Sequence, residues 1–360
     1  MERHRDNICV SQLAAVVWVS VLAAAVGVLP GVTARRGGMA GWLAPLLAAP
    51  ALLAASWLLW RVTGRGARGL ADAFCGLLGD VGGRLLTIIY IMWALLVGAA
   101  RLRLSGQRLL VTARRDGGLW LFLLVIAFMV GWIAWGKLAA FARTAVLFRR
   151  GLLLILGGVV VLTVFQIRKE NLLPLWLGDL VSAGEAAVPA LGVLCVGVYG
   201  AFLLDGVSGV KGDGGRWAAH ALGFCALLAL FLLTILGNLG SVLTARLEEP
   251  FITLSKNVGV EGAFQRVESL VSALWLLADL TLLTLLTWAC RRGLDVVWPV
   301  LGGTRGVAVA VGAILVGACT IFRDAAAAQY FEQSTALLGN LVLGLLVPAV
   351  LFAVVKVRKE

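Results

Sequence analysis

The chain alternates between long apolar runs and short polar connections. A helix needs about 20 mostly apolar residues to cross the hydrocarbon core of a bilayer. Strands of a membrane barrel would instead show shorter segments of alternating polarity. We therefore predict ten transmembrane helices, near residues 10–30, 41–60, 85–100, 119–135, 151–165, 189–204, 217–236, 267–289, 306–321 and 335–355. No connection is long enough for a separate soluble domain, so residues 1–360 are predicted to form a single membrane domain.

Composition supports this class of protein. The chain has 360 residues, of which 61% are hydrophobic and 14% charged, and its mean hydropathy is +0.98. Soluble domains are about 45–50% apolar and about 25% charged. The net charge of +12 comes from Lys and Arg that flank the apolar runs, where they contact lipid head groups. No base-stacking module accompanies them, so we expect no nucleic-acid partner. Their distribution favours a cytoplasmic position for both termini.

The residues that usually carry metal, cofactor or catalytic chemistry are sparse. The six cysteines stand singly, with no CxxC spacing, so neither a metal site nor a disulfide framework is indicated. The two histidines are His4 and His220, and neither HExxH nor GxSxG occurs. We therefore expect no cofactor, no metal and no enzymatic activity.

Two runs contain helix-breaking residues. The first holds Gly27 and Pro30, and the sixth holds Pro189, Gly197 and Gly200. Proline removes a backbone donor and glycine relaxes a helix. Interrupted helices at matching places in two five-helix halves indicate the binding site of a transporter. The alternative is that these residues only permit close packing of helices.

A series of short motifs carries a resemblance to a known family. In the late part of the chain, a proline-led loop precedes Phe, Arg, Glu and Trp, here Pro250, Phe264, Arg266, Glu268 and Trp275. "ICVSQL", "LP", "GWLAPLL", "NLLP" and "FRDAAAAQYFEQSTALLGN" occur around it in order. Over nearly its whole length the chain resembles the spore-germination permease family. These proteins are the B subunits of Ger-type nutrient germinant receptors, within the amino acid–polyamine–organocation transporter superfamily.

The resemblance implies an all-α polytopic membrane protein with a LeuT-like fold. About ten helices would form two inverted five-helix repeats, near residues 8–166 and 171–356. Helices 1 and 6 would be discontinuous at mid-membrane and would line a central cavity. The implied ligand-binding positions are Ala23, Ala24, Ala25 and Gly27 at the helix 1 break, and Gly197 and Tyr199 at the helix 6 break. The chain departs from the family at Tyr199 and at Ala99, beside Arg101, where members often carry acids.

An acid inside the eighth run is the main candidate for chemistry. Asp279 lies near its middle, where a charged carboxylate costs roughly 2.5–3.5 kcal/mol on insertion scales. In one interpretation Asp279 is a proton or ligand site, with Thr281 and Thr284 as further candidates on another helix face. In the other, it is a carboxylate satisfied by a neighbouring helix or kept neutral by desolvation.

The charged residues before this run are predicted to be structural. An acid in the first turn of a helix is favoured by the helix dipole, which accounts for Glu268. We expect Arg266 to hold the loop that Pro250 opens, by pairing with one of its acids. The candidate partners are Glu248, Glu249 and Glu261.

Two functions remain open at this point. The chain is predicted to be a receptor subunit that binds a small nutrient, such as an amino acid, in the central cavity and signals germination. Its partners would then be the lipid bilayer, a large membrane subunit and a lipoprotein subunit, in the bacterial cell membrane or the spore inner membrane. The alternative is an amino-acid permease that works by alternating access, with possible proton coupling through Asp279.

Overall fold

The computed structural model describes residues 7–63, 69–113, 118–173, 176–208, 214–257 and 267–357, and these are almost entirely helical. The α-helices are α1 Val10–Gly37, α2 Ala44–Thr63, α3 Leu70–Ala113, α4 Leu119–Trp135, α5 Leu138–Val164, α6 Leu177–Leu194, α7 Gly214–Leu239, α8 Ser241–Arg246, α9 Pro250–Asn257, α10 Val267–Val297, α11 Thr304–Thr320, α12 Ala325–Gln333, α13 Thr335–Leu341 and α14 Val347–Val357. Between them lie 3₁₀ segments at Gly38–Leu43, Lys169–Asn171, Cys195–Gly206 and Pro299–Leu301, and a π-helical turn at Val342–Leu346.

The helices suit a membrane. Within the described ranges, seven helical segments are long and apolar enough to cross a bilayer by length and composition, and α4 and α11 are apolar but shorter. All ten predicted runs fall on helical segments. The number of crossings, the inverted repeat and the side on which each terminus lies stay predictions.

The first span corrects one expectation. We expected a break near Ala23–Gly27, but α1 is a single helix of 28 residues that includes Pro30. The three alanines before Gly27 are the strongest helix formers, and one proline removes only one backbone donor. The hydroxyl of Thr33 donates to the Leu29 carbonyl at 2.7 Å and stabilises the turn around the proline. The predicted discontinuity of helix 1 is therefore wrong.

The sixth span changes its geometry in the predicted region. α6 ends at Leu194, and a 3₁₀ helix of 12 residues, Cys195–Gly206, continues the span. A 3₁₀ helix bonds each residue to the third one along, so its backbone groups remain paired. The predicted interruption of helix 6 is thus a change of helix type and leaves no unwound segment.

The core lies where α3, α10 and α1 meet. α3 packs most extensively on α10, and α1 packs on α6 and α10. Gly79 has φ +79° and ψ 172° and marks a kink inside the 44 residues of α3, a conformation that favours glycine.

Two close backbone approaches join other elements to this core. A Cβ on Gly192 of α6 would overlap the Leu337 carbonyl of α13, so glycine is needed there. The strands β1 Ile8–Cys9 and β2 Val207–Ser208 pair in parallel, and they tie the start of α1 to the end of the sixth span.

A candidate ligand site at a buried ionic centre

Three polar side chains share one face of α3. Arg101, Ser105 and Arg108 are spaced by four and then three residues, so they lie above one another on the helix. The Ser105 hydroxyl oxygen lies 2.9 Å from the Arg101 carbonyl oxygen one turn earlier. This face is turned towards α10, where a carboxylate meets it.

Asp279 of α10 is fully buried and receives the α3 face. Its Oδ2 accepts hydrogen bonds from Arg108 Nη1 and Ser105 Oγ, each at 2.7 Å. Its Oδ1 lies 3.6 Å from Arg101 Nη1, a distance that brings ionic attraction but is too long for a hydrogen bond. Contacts with the neighbouring helix α3 therefore satisfy Oδ2 of Asp279 with two hydrogen bonds, whereas Oδ1 receives only ionic attraction.

Arg101 connects four helices, although it is only 2% exposed. Its Nη2 lies 2.7 Å from Glu332 Oε2 of α12, and its Nη1 donates to the Ala23 carbonyl of α1 at 3.2 Å. We call Arg101, Ser105, Arg108, Asp279 and Glu332 the ionic centre.

An aromatic residue of α10 seals this group on one side. The Trp275 indole donates to the Ala23 carbonyl at 3.3 Å, and the Arg108 guanidinium lies 4.0 Å from its ring centroid, a cation–π contact. A Cβ on Gly27 would lie 3.2 Å from the Trp275 ring. Gly27 therefore lets α1 approach the ring, and its role here is close packing.

The charges of the ionic centre balance, but their hydrogen bonding is incomplete. Arg101 and Arg108 face Asp279 and Glu332, and Glu249, whose side chain is 40% exposed, pairs with Arg108 at 3.1 Å. Three buried polar atoms of the ionic centre have no hydrogen-bond partner among the described residues: Asp279 Oδ1, Glu332 Oε1 and Arg101 Nε. Such groups are costly unless water or a ligand reaches them. These unpaired atoms can form hydrogen bonds with a small molecule that carries both a hydrogen-bond donor and a hydrogen-bond acceptor.

The space beside this centre is small in the present conformation. A cavity of about 30 Å³ lies between α1, α5, α9 and α10, with Trp275 and Ala278 in its wall. Its wall is apolar and includes no residue of the ionic centre, and its volume is too small for an amino acid, which could enter only after the helices move.

The helix 1 candidates lie at the edge of the ionic centre. Ala23 contributes its carbonyl to two side-chain hydrogen bonds. Ala25 is buried, and Ala24 is partly buried and packs against the hydrophobic core.

The helix 6 candidates lie in other surroundings. A Cβ on Gly197 would contact Val17 and Val21, earlier on α1 than Ala23. The Tyr199 hydroxyl donates to the Tyr90 carbonyl at 3.2 Å. Gly197 also lines an apolar cavity of about 430 Å³. The space that Gly197 lines between spans 1 and 6 is thus apolar.

The remaining candidate residues are Thr281, Thr284, Pro250, Glu268 and Arg266. Thr281 is buried and donates to the Leu277 carbonyl of its own helix at 2.8 Å, whereas the buried Thr284 hydroxyl has no partner among the described residues. Pro250 is the first residue of α9. Glu268 falls within α10, but its side chain lies outside the description, as does Arg266.

Sequence reasoning missed most of the ionic centre. The predicted third helix ends near residue 100, but α3 continues through the basic segment that follows to Ala113. The spacing of Arg101, Ser105 and Arg108 by four and three residues was the sequence signal for a polar face on one helix. Glu332 stood within the closing family motif and gave no sign of its partner.

Two solved structures of similar fold are membrane transporters. One is Mhp1, a nucleobase-cation-symport-1 family transporter in a closed conformation with bromovinylhydantoin bound. It is 15% identical over 94% of this chain and 78% of its own, with a TM-score of 0.65. Another is a manganese transporter of Eremococcus coleocola in complex with an aromatic bis-isothiourea substituted compound. It is 12% identical over the same shares, with a TM-score of 0.56. At these identities the likeness establishes the fold, that of LeuT-type transporters.

The sequence itself assigns the family. No curated protein matches it. A family profile described as "Spore germination protein" matches residues 7–326. Together with the long apolar helices, this identifies an integral multi-pass membrane protein. The chain belongs to the spore germination protein family.

Proposed function

We propose that the chain is the membrane-embedded subunit of a spore nutrient germinant receptor. It binds a small nutrient such as an amino acid, and it passes the signal to a large membrane subunit and a lipoprotein subunit. It resides in the spore inner membrane with both termini in the cytoplasm, and it acts by binding and not by catalysis. The family match over residues 7–326 is the observation that carries this proposal.

The ionic centre supplies a mode of binding. A zwitterion offers a carboxylate to Arg101 and an ammonium group to Asp279 and Glu332, and so it replaces the ion pairs that these residues now make with each other. Charge-assisted hydrogen bonds of this kind are among the strongest in proteins.

Exchange of these pairs also couples binding to movement. The cavity beside Trp275 is too small for an amino acid, so the ligand binds only an arrangement in which α1 and α10 have separated. A ligand shifts a conformational equilibrium by its differential affinity for the two states, which is the property that a sensor requires.

A gene deletion tests the receptor assignment. Deletion mutant spores are assayed for germination on single nutrients, and we expect the response to at least one nutrient to be lost. An unchanged response to every nutrient, together with lost uptake of one amino acid, contradicts the assignment.

Binding is tested separately on the purified protein. A thermal-shift screen against single amino acids is expected to give a concentration-dependent rise in Tm with one of them. We expect Arg101→Gln to abolish that rise. Arg84→Gln, at an exposed position of α3, is the matched control and should keep it.

Transport is the second candidate, and the fold likeness to two transporters favours it. In that case the same exchange of ion pairs would accompany alternating access. Uptake of the amino acid identified in the screen, measured in proteoliposomes, distinguishes the two, because a pure sensor accumulates none.

A further inference from the structure

A second and larger cavity lies away from the ionic centre and has different chemistry. Its volume is about 430 Å³, and its wall is formed by α1, α2, the 3₁₀ segment Cys195–Gly206 and α7. Apart from tryptophan and cysteine, the polar side chains among its lining residues are Ser56 and His220. Trp57 and Trp60 in its wall are 45% and 39% exposed, so the cavity opens at the surface of the helices.

An apolar space of this kind does not suit water or a zwitterion. Apolar cavities stay dry, and the lining residues include no Asp, Glu, Lys or Arg that would pair with the charges of an amino acid. The volume is within the range of about 300–1,000 Å³ of ligand sites. One turn of an α-helix with its side chains fills about 400–600 Å³, so a membrane-spanning partner helix cannot fit inside. A flexible hydrocarbon chain is thin enough to fit inside this cavity.

Two arginines stand beside this wall. The Arg61 guanidinium lies 5.1 Å from the ring centroid of Trp57 and 5.9 Å from that of Trp60. The Arg149 guanidinium lies 5.8 Å from the ring of Trp18, which also lines the cavity. In the described part of the chain, neither arginine forms an ion pair with a carboxylate.

The cavity also lies towards one end of the bundle. Its lining residues come from the first part of α1, the last part of α2 and the first part of α7. Arg61 is in the last turn of α2. Cations with tryptophans at the ends of spans are typical of the level of lipid head groups, and basic pockets between membrane helices bind anionic head groups.

We propose that this cavity binds one anionic phospholipid. An acyl chain fills the apolar space between α1, α2 and α7, and the phosphate lies at the level of Arg61 and Arg149. The site is independent of the nutrient site proposed above, and its test requires no germination assay.

The test is native mass spectrometry of the purified full-length protein. It is titrated in detergent with dioleoyl-phosphatidylglycerol or with dioleoyl-phosphatidylcholine, which have the same chains. We expect one phosphatidylglycerol to bind in preference to phosphatidylcholine. Since a basic residue at the surface contributes about a fivefold gain in affinity for anionic lipid, Arg61→Gln with Arg149→Gln should lower phosphatidylglycerol affinity about 25-fold. Arg61→Lys with Arg149→Lys should retain most of it.

A second pair of variants tests the cavity itself. Ala221→Phe adds a ring to the wall and should weaken the binding of both lipids. Ala219→Phe is the matched control, on an exposed position of the same helix that does not line the cavity. Equal effects of these two variants overturn the proposal, as does equal affinity of the unmodified protein for the two lipids. Displacement of the lipid by millimolar inorganic phosphate also overturns it, because it would indicate an anion site without a chain site.

Discussion

Asp279→Asn tests whether the ionic centre holds the helices together. The change keeps the shape of the side chain and removes one of the two buried negative charges. Among the described acids, Arg108 then pairs only with Glu249, whose side chain is 40% exposed. Its ionic contact with residue 279, at 2.7 Å in the unmodified protein, becomes a hydrogen bond to a neutral amide. Breaking a buried ion pair from one side costs about 3–5 kcal/mol. At about 2 °C for each kcal/mol in a chain of this size, we expect the Tm to fall by roughly 6–10 °C.

This loss is measured by thermal unfolding in detergent, monitored by tryptophan fluorescence. A double-mutant cycle then isolates the interaction energy between Asp279 and Arg108. Arg108→Gln alone should also destabilise. The double variant Asp279→Asn with Arg108→Gln should lose clearly less than the sum, because each single variant already removes the same ionic contact and the double variant loses it only once. Thr281→Val is the matched control, since that hydroxyl bonds only within α10. Additive single effects, or a loss for Asp279→Asn no larger than for Thr281→Val, would refute the reasoning.

Three further predictions use the same unfolding assay. Glu332→Gln keeps the contact to its buried arginine but loses the charge, so we expect a loss of about 1.5–3 kcal/mol, whereas Glu170→Gln on the exposed surface should change little. Tyr199→Phe removes a hydrogen bond to an α3 carbonyl and keeps the ring, so we expect a loss of about 0.5–1.5 kcal/mol; no loss would contradict the bond. Gly192→Ala forces α6 and α13 apart and should lower the Tm, while Gly184→Ala, with open space at the added methyl, should raise stability by about 0.5–1 kcal/mol. The reverse order of the two glycine variants would contradict the packing.

Whether a feature could be predicted from the sequence depends on how far apart in the chain the interacting residues lie. Helix positions were predictable, because apolar runs of sufficient length have one stable form in a bilayer. The burial of Asp279 in a polar environment was also predictable, because a charge at mid-membrane requires a partner. The identity of its partner was not, since Arg108 is 171 residues away in the chain.

Local propensity explains the error in the first span. Gly27 and Pro30 were interpreted as signs of a break. Their neighbours are alanines and valines, and the helix continues because a lone glycine costs only about 1 kcal/mol. Gly27 instead faces Trp275, a contact between distant segments that no local pattern encodes.

The short parallel pairing of β1 with β2 has a consequence for motion. Ile8 pairs with Val207 and Cys9 with Ser208, immediately before α1 and immediately after the 3₁₀ half of the sixth span. Sliding one span along the other would break these bonds, whereas tilting the two spans about their joined ends would keep them. The pairing therefore couples the start of the first span to the end of the sixth, so that these two ends move together.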